Sequence, residues 1–262
     1  MFTPRHVRRT AVAVCLSFVA ATASAQTTPK PYEPQSGQAG KDVVWVPTPQ
    51  PLVEKMLDLA KVTPKDFVMD LGSGDGRTVI AAAKRGAHSM GVEFNPDMVT
   101  LSQNKVKEAG VADRAQIVQG DLFEADLSKA TVITLFLLPQ INEKLRPKIL
   151  DLKPGTRIVS NSFTMGDWES DETATVTEDC TSWCTALFWM VPAKVDGTWT
   201  SPQGDLVLEQ KYQMVTGTMS GKPIGNGRLR GDQLTFTVDG AQQTARVNGK
   251  TMQGSNWTAT KK

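Results

Sequence analysis

Histidine and cysteine are scarce in this chain of 262 residues, which holds two histidines and three cysteines. Cys180 and Cys184 are the only cysteines beyond the N-terminal stretch, and a C-x-x-x-C spacing with so little histidine makes no zinc site. In an oxidising compartment the two can pair; a local disulfide and two buried thiols both fit the spacing. A basic excess is lacking too. Lys and Arg total 29 against 27 Asp and Glu, and the aromatic residues do not interleave with the basic ones. Nucleic acid is therefore disfavoured as a partner. The N-terminal apolar run, Ala11 to Ala21, falls short of the roughly 20 residues that a membrane span needs, so no stable membrane insertion is expected.

That run follows Arg5, Arg8 and Arg9 and precedes Ala23-Ser24-Ala25, the pattern of a secretory signal peptide cut after Ala25. The protein reads as exported, to the periplasm. Val14 before Cys15 argues against a lipoprotein, and Arg8-Arg9 lacks the flanks of a twin-arginine signal. Without residues 1–25 the chain carries 26 basic and 27 acidic side chains. Residues 26–41, almost free of apolar side chains, read as a flexible leader. Leu52, Val53, Met56, Leu57, Leu59 and Ala60 then repeat with helical period up to Thr63-Pro64.

What is most informative is Asp70-Leu71-Gly72-Ser73-Gly74-Asp75-Gly76, three alternating glycines between an apolar strand, Phe67-Val68-Met69, and a helical pattern from Arg77 to Arg85. Glycines let the backbone approach a ligand at a helix start, although a plain strand-to-helix turn needs them as well. Two further acids bear on the choice. His88 to Glu93 reads as a second strand ending in a carboxylate suited to ribose hydroxyls, and Ala115 to Leu122 as a third ending in Gly120-Asp121. Asp121 suits an adenine amino group and Leu122 its ring. Strands ending in acids at one carboxyl edge converge on one crevice.

These residues resemble the first motifs of the class I S-adenosylmethionine-dependent methyltransferases over about residues 42 to 191. Val46-Pro47-Thr48-Pro49, Thr134 to Pro139 and Leu152 to Ser160 further resemble bacterial relatives of the FAM173-type protein-lysine methyltransferases. The resemblance implies a doubly wound, seven-stranded Rossmann-like sheet. It also implies S-adenosylmethionine as cofactor, held by Thr48, Asp70, Gly72, Ser73, Gly74, Glu93, Asp121 and Leu122. A protein lysine amine is the implied acceptor, with another small nucleophile as the alternative. Methyl transfer from a sulfonium needs positioning more than a protein nucleophile, so no catalytic residue is assigned.

Val132 to Leu138 reads as the central fourth strand and Arg157 to Phe163 as a fifth, with 173–176 and 186–191 as the last two. Gln140 and Asn142 are candidates for the acceptor channel, though a plain helix start accounts for them as well. Phe163 and Trp168 are candidate walls of that channel or caps of the core. From residue 192 to 262 period-two patterns and glycine turns indicate a small antiparallel all-β module, with Val215 to Gly221 echoed by Val247 to Gly254. This module carries nine basic and five acidic residues, against 17 basic and 22 acidic for 26–191. Opposite signs suit docking, but a solvated charged surface is the simpler reading. The alternative function is an exported, non-catalytic binding protein that keeps the fold and uses the β module for recognition. Nothing in the sequence sets an oligomeric state.

Overall fold

The computed structural model describes residues 1–3 and 32–262, so the expected signal peptide lies outside the described residues except for its first three positions. Among the described residues no helix is long and apolar enough to cross a membrane. Helix α1 (Gln50–Leu59) begins at two prolines, whose fixed φ and missing N–H suit a first turn, and buries Leu52, Val53, Met56 and Leu57. Helices α2 (Arg77–Lys84), α3 (Pro96–Glu108) and α4 (Pro139–Leu150) each follow a strand. The Asn95 side chain caps α3 by accepting from the N–H groups of Asp97 and Met98.

Strands β1 (Phe67–Leu71), β2 (His88–Glu93), β3 (Ala115–Gln119), β4 (Val132–Leu135), β5 (Arg157–Asn161), β6 (Glu172–Thr175) and β7 (Thr185–Met190) form a seven-stranded sheet in the order β3-β2-β1-β4-β5-β7-β6. All neighbours are parallel except β7, which runs against both β5 and β6. The order reverses between β1 and β4, so the crevice lies beyond their carboxyl ends. Three strands stop short of their sequence patterns: β3 at Gln119, β4 at Leu135 and β5 at Asn161. The ladder ends there because the chain turns over the sheet edge, leaving residues 120–122, 136–138 and 162–163 to line loops.

Nine short strands follow: β8 (Gly197–Thr200), β9 (Leu206–Lys211), β10 (Met214–Met219), β11 (Lys222–Pro223), β12 (Gly225–Arg230), β13 (Gln233–Val238), β14 (Ala241–Asn248), β15 (Thr251–Gly254) and β16 (Thr258–Lys261). Because β9 pairs with β10 as well as β8, eight of them close into an antiparallel barrel, with β11 attached to β10. Closure removes exposed strand edges. Trp199, Leu206, Leu208, Leu229, Leu234 and Phe236 fill the interior from alternate positions. The two echoed segments are hairpins: β10 with β11, and β14 with β15.

The barrel's positive charge is used in docking and not merely solvated. Arg228 pairs with Asp171 at 2.6 Å and Arg230 with Glu172 at 2.5 Å, while Tyr212 donates to Asp167 at 2.7 Å. The Asp171 carboxylate is only 2% exposed and also accepts from the Met190 N–H, so removing Arg228 leaves a buried charge underpaired. Arg228→Ala is expected to lower stability by about 1–2 kcal/mol in urea unfolding. Arg230→Ala, which breaks a more exposed pair, should cost less than about 0.5 kcal/mol.

Trp168 belongs to this junction and not to an acceptor wall. It is fully buried, stacks on Tyr212 with ring centroids 5.9 Å apart, and lies 6.3 Å from Trp189. A side chain so enclosed touches no substrate. Trp168→Phe should leave acceptor KM unchanged and lower stability by about 1 kcal/mol, as measured by steady-state kinetics and thermal unfolding.

Candidate active site

The glycine turn is built by its neighbours. Gly72 and Gly74 adopt φ of +75° and +53°, a left-handed conformation that L side chains rarely take. Backbone N–H groups of Gly72 and Ser73 donate to the Val92 carbonyl at 2.9 and 3.1 Å, tying the turn to β2. Glu93, at the end of β2, accepts from the Gly74 N–H at 2.8 Å and from the Asn95 N–H at 2.9 Å. Its carboxylate thus locks the turn to the start of α3. Gly91, in the middle of β2, belongs to no motif, yet a Cβ there would collide with the Ser73 side chain. A glycine interrupting a strand pattern is the signal that marks such close approach.

All eight residues that the resemblance assigns to the cofactor line one pocket: Thr48, Asp70, Gly72, Ser73, Gly74, Glu93, Asp121 and Leu122. Ser73 Oγ is buried there without a hydrogen-bond partner among the described residues. Asp70 accepts from the Thr134 hydroxyl of β4 at 2.6 Å. Burial pushes its carboxyl up to about 7 against that hydrogen bond, and the nearby charges of Glu93 and Asp75 act in the same direction as burial. Asp75 is different. Burial raises it, but Arg77 at 2.8 Å and Lys105 at 2.7 Å outweigh burial and hold it at about 2. Arg77 also donates to the Thr48 carbonyl at 2.8 Å, fastening the segment before α1 to the turn.

Residues 33–41, expected as part of a flexible leader over 26–41, are tied by hydrogen bonds to the segment before α1. The Gly37 N–H donates to the Trp45 carbonyl at 2.8 Å and the Trp45 N–H to the Gln38 carbonyl at 2.9 Å, closing a loop whose residues 38–48 line the pocket. Lys41 reaches Asp121 at 2.5 Å and lies 4.7 Å from the Phe94 ring centre. The Asp121 carboxyl is held below its usual range, chiefly by the Lys41 hydrogen bond. Composition concealed this segment because its anchors are backbone groups and one lysine, not an apolar face.

The four acceptor candidates stand in different settings. None of Gln140, Asn142, Phe163 and Trp168 lines the pocket. Gln140 is exposed on the first turn of α4. Asn142 is fully buried and donates to the carbonyls of Phe163 and Thr164 at 3.4 and 3.1 Å, so it braces the loop after β5. Phe163 stacks on Phe136, a pocket residue, at 5.9 Å. Cys180 and Cys184 form a disulfide with Cα atoms 5.8 Å apart.

Residues 70–172 match the family model described as the ANTKMT methyltransferase domain. A protein-lysine N-methyltransferase of Saccharolobus islandicus (strain REY15A) is 47% identical over 133 residues, covering 50% of this chain and 83% of that protein. The adenine nucleotide translocase lysine N-methyltransferase of Mus musculus is 35% identical over 119 residues, 45% of this chain and 52% of its own length. Among solved structures, a Salinibacter ruber protein described as an RNA methyltransferase, in complex with S-adenosyl-L-homocysteine, is 49% identical. It covers 57% of this chain and 96% of its own, with a TM-score of 0.54.

Proposed function

Since the chain belongs to the class I S-adenosylmethionine-dependent methyltransferases of FAM173 type, we propose that it methylates a lysine amine of a protein outside the cytoplasm. The observation that carries this reading is the convergence of Asp70, Glu93 and Asp121 with the Gly72–Gly74 turn around one pocket at the sheet's carboxyl edge. The residues present fit S-adenosylmethionine. An orphan buried hydroxyl on Ser73 awaits a partner, Glu93 keeps lone pairs for ribose hydroxyls, and Leu122 offers an apolar face. Asp121 can accept from an adenine amino group through lone pairs not used by Lys41 and the Phe123 N–H.

The sulfonium supplies an activated methyl group. The chain orients the donor, excludes water and presents a neutral amine, whose proton leaves to solvent. Bound there, S-adenosylmethionine would supply the methyl carbon, its sulfur keeping the C–S electron pair as the N–C bond to the amine forms. Nearly balanced charge, 26 basic against 27 acidic beyond residue 25, favours a protein acceptor over RNA. Export is supported by the arginines and the Ala23-Ser24-Ala25 site of the first 25 residues, and by the Cys180–Cys184 disulfide, which suits an oxidising compartment.

The test incubates the protein and labelled S-adenosylmethionine with an envelope extract from cells lacking it. Label in methyl-lysine is expected; label in RNA alone, or none, overturns the acceptor assignment. N-terminal sequencing of the protein from fractionated cells should begin at Gln26 in the periplasm, and an intact Met1 in the cytoplasmic fraction would refute export.

A further inference from the structure

Beside the pocket, three aromatic rings from separate segments meet. Phe136 follows β4, Phe163 follows β5, and Trp183 precedes β7. Because β7 runs antiparallel to β5, with Asn161 opposite Ala186, the loop before β7 lies at the edge where β4 and β5 end. The Ser162 N–H donates to the Thr185 carbonyl at 2.7 Å and fastens the two loops together. Trp183 sits 5.0 Å from Phe163 and 6.1 Å from Phe136 by ring centroids, and Phe136 and Phe163 are 5.9 Å apart. Phe136 belongs to this cluster and to the pocket lining at once.

The cluster is not a sealed core. Trp183 remains 43% exposed, and Phe163 is half-buried. Trp183 also has φ of +57°, a conformation that a bulky side chain seldom adopts, and burial does not account for it. What holds it is the ring closed by the Cys180–Cys184 disulfide, four residues apart, with the Cys184 carbonyl accepting from the Val176 N–H at 2.9 Å. This loop lies beyond residues 70–172, the part matched by the family model.

We propose that Phe136, Phe163 and Trp183 form the wall against which the alkyl stem of the acceptor lysine lies, and that the Cys180–Cys184 disulfide positions Trp183 to complete it. The proposal rests on the lysine reading above. The three rings carry no charged group, so they favour an apolar stem and the neutral, reactive form of an amine. Their faces also attract an arriving ammonium. No carboxylate among them offers the bidentate partner that a guanidinium would select.

The test uses the full mature chain as wild type, Trp183→Ala, Trp183→Phe and the double variant Cys180→Ser/Cys184→Ser. With the envelope extract as acceptor, Trp183→Ala should raise the apparent acceptor KM about tenfold, leaving S-adenosylmethionine affinity by calorimetry unchanged. Trp183→Phe should restore KM to within about threefold of wild type, and the double cysteine variant should fall between them. In parallel, the indole N–H of Trp183 is followed by NMR while Nα-acetyl-lysine methylamide is added in the presence of S-adenosylhomocysteine. A saturable shift is expected. If the wild type methylates no protein but the shift occurs, the lysine reading fails and the wall stands. Wild-type acceptor KM in Trp183→Ala, or no indole shift while S-adenosylhomocysteine binds, overturns the wall.

Discussion

Glu93→Ala is expected to weaken S-adenosylmethionine binding by about a hundredfold or more, since two hydrogen bonds to a charged acceptor are each worth about 1.5–3 kcal/mol. Glu93 clasps the turn in the fold, beside the hold on ribose proposed for it, and the experiment must separate the two. Its carboxylate holds the N–H groups of Gly74 and Asn95, so its loss also loosens the turn. Glu93→Gln, which keeps one acceptor oxygen, should lose about tenfold, as a neutral hydrogen bond replaces a charged one. Calorimetry with adenosine and 2′-deoxyadenosine distinguishes the tasks. Wild type should discriminate between them and Glu93→Ala should not. Unchanged affinity in Glu93→Ala removes the ribose assignment, and retained discrimination would leave Glu93 a purely structural clasp.

Asp70→Asn is expected to make the protein more stable at pH 8 and to flatten its stability between pH 4 and 7. The sign follows from a folded-state value of about 7 against 3.8 for the free carboxyl. Below pH 3.8 both states hold the proton, so the full contribution is present; above it the unfolded chain ionises first. The contribution is lost as pH rises through about 7, a loss on the order of 4 kcal/mol at 1.36 kcal/mol per unit. Asp75, held at about 2, contributes with the opposite sign in a lower window, lost as pH falls from about 4 to 2. Urea unfolding at half-unit pH steps resolves the two. A cationic ligand favours ionised Asp70, so S-adenosylmethionine affinity should rise from pH 6 to 8 in wild type and stay level in Asp70→Asn. An equal pH slope in both proteins would show that Asp70 does not titrate in this range.

The local pieces of this molecule were legible where a residue's role is fixed by its own backbone. The turn at Gly72 and Gly74 and the strand ending in Glu93 follow from conformational preference and short-range spacing. The acceptor side was harder. Trp168 and Phe163 are both aromatic residues just past β5, but one enters the junction with the barrel and the other faces Phe136. Nothing within five residues of sequence distinguishes them; their partners, Tyr212 and Phe136, lie on distant segments. The same holds for Trp183, whose two ring partners belong to the loops after β4 and β5.

The cofactor side of the site is written in the chain as a strand, a glycine turn and acids at the ends of successive strands, because in a parallel sheet the chain direction alone sends those ends to one edge. What closes that edge is set by the packing of distant segments. That packing laid residues 38–48 along the pocket, docked the barrel through Arg228 on Asp171, and brought Trp183 to Phe136 and Phe163. Each of these joins segments far apart in the chain, and such contacts depend on the packing of whole elements, which no local pattern of residues records.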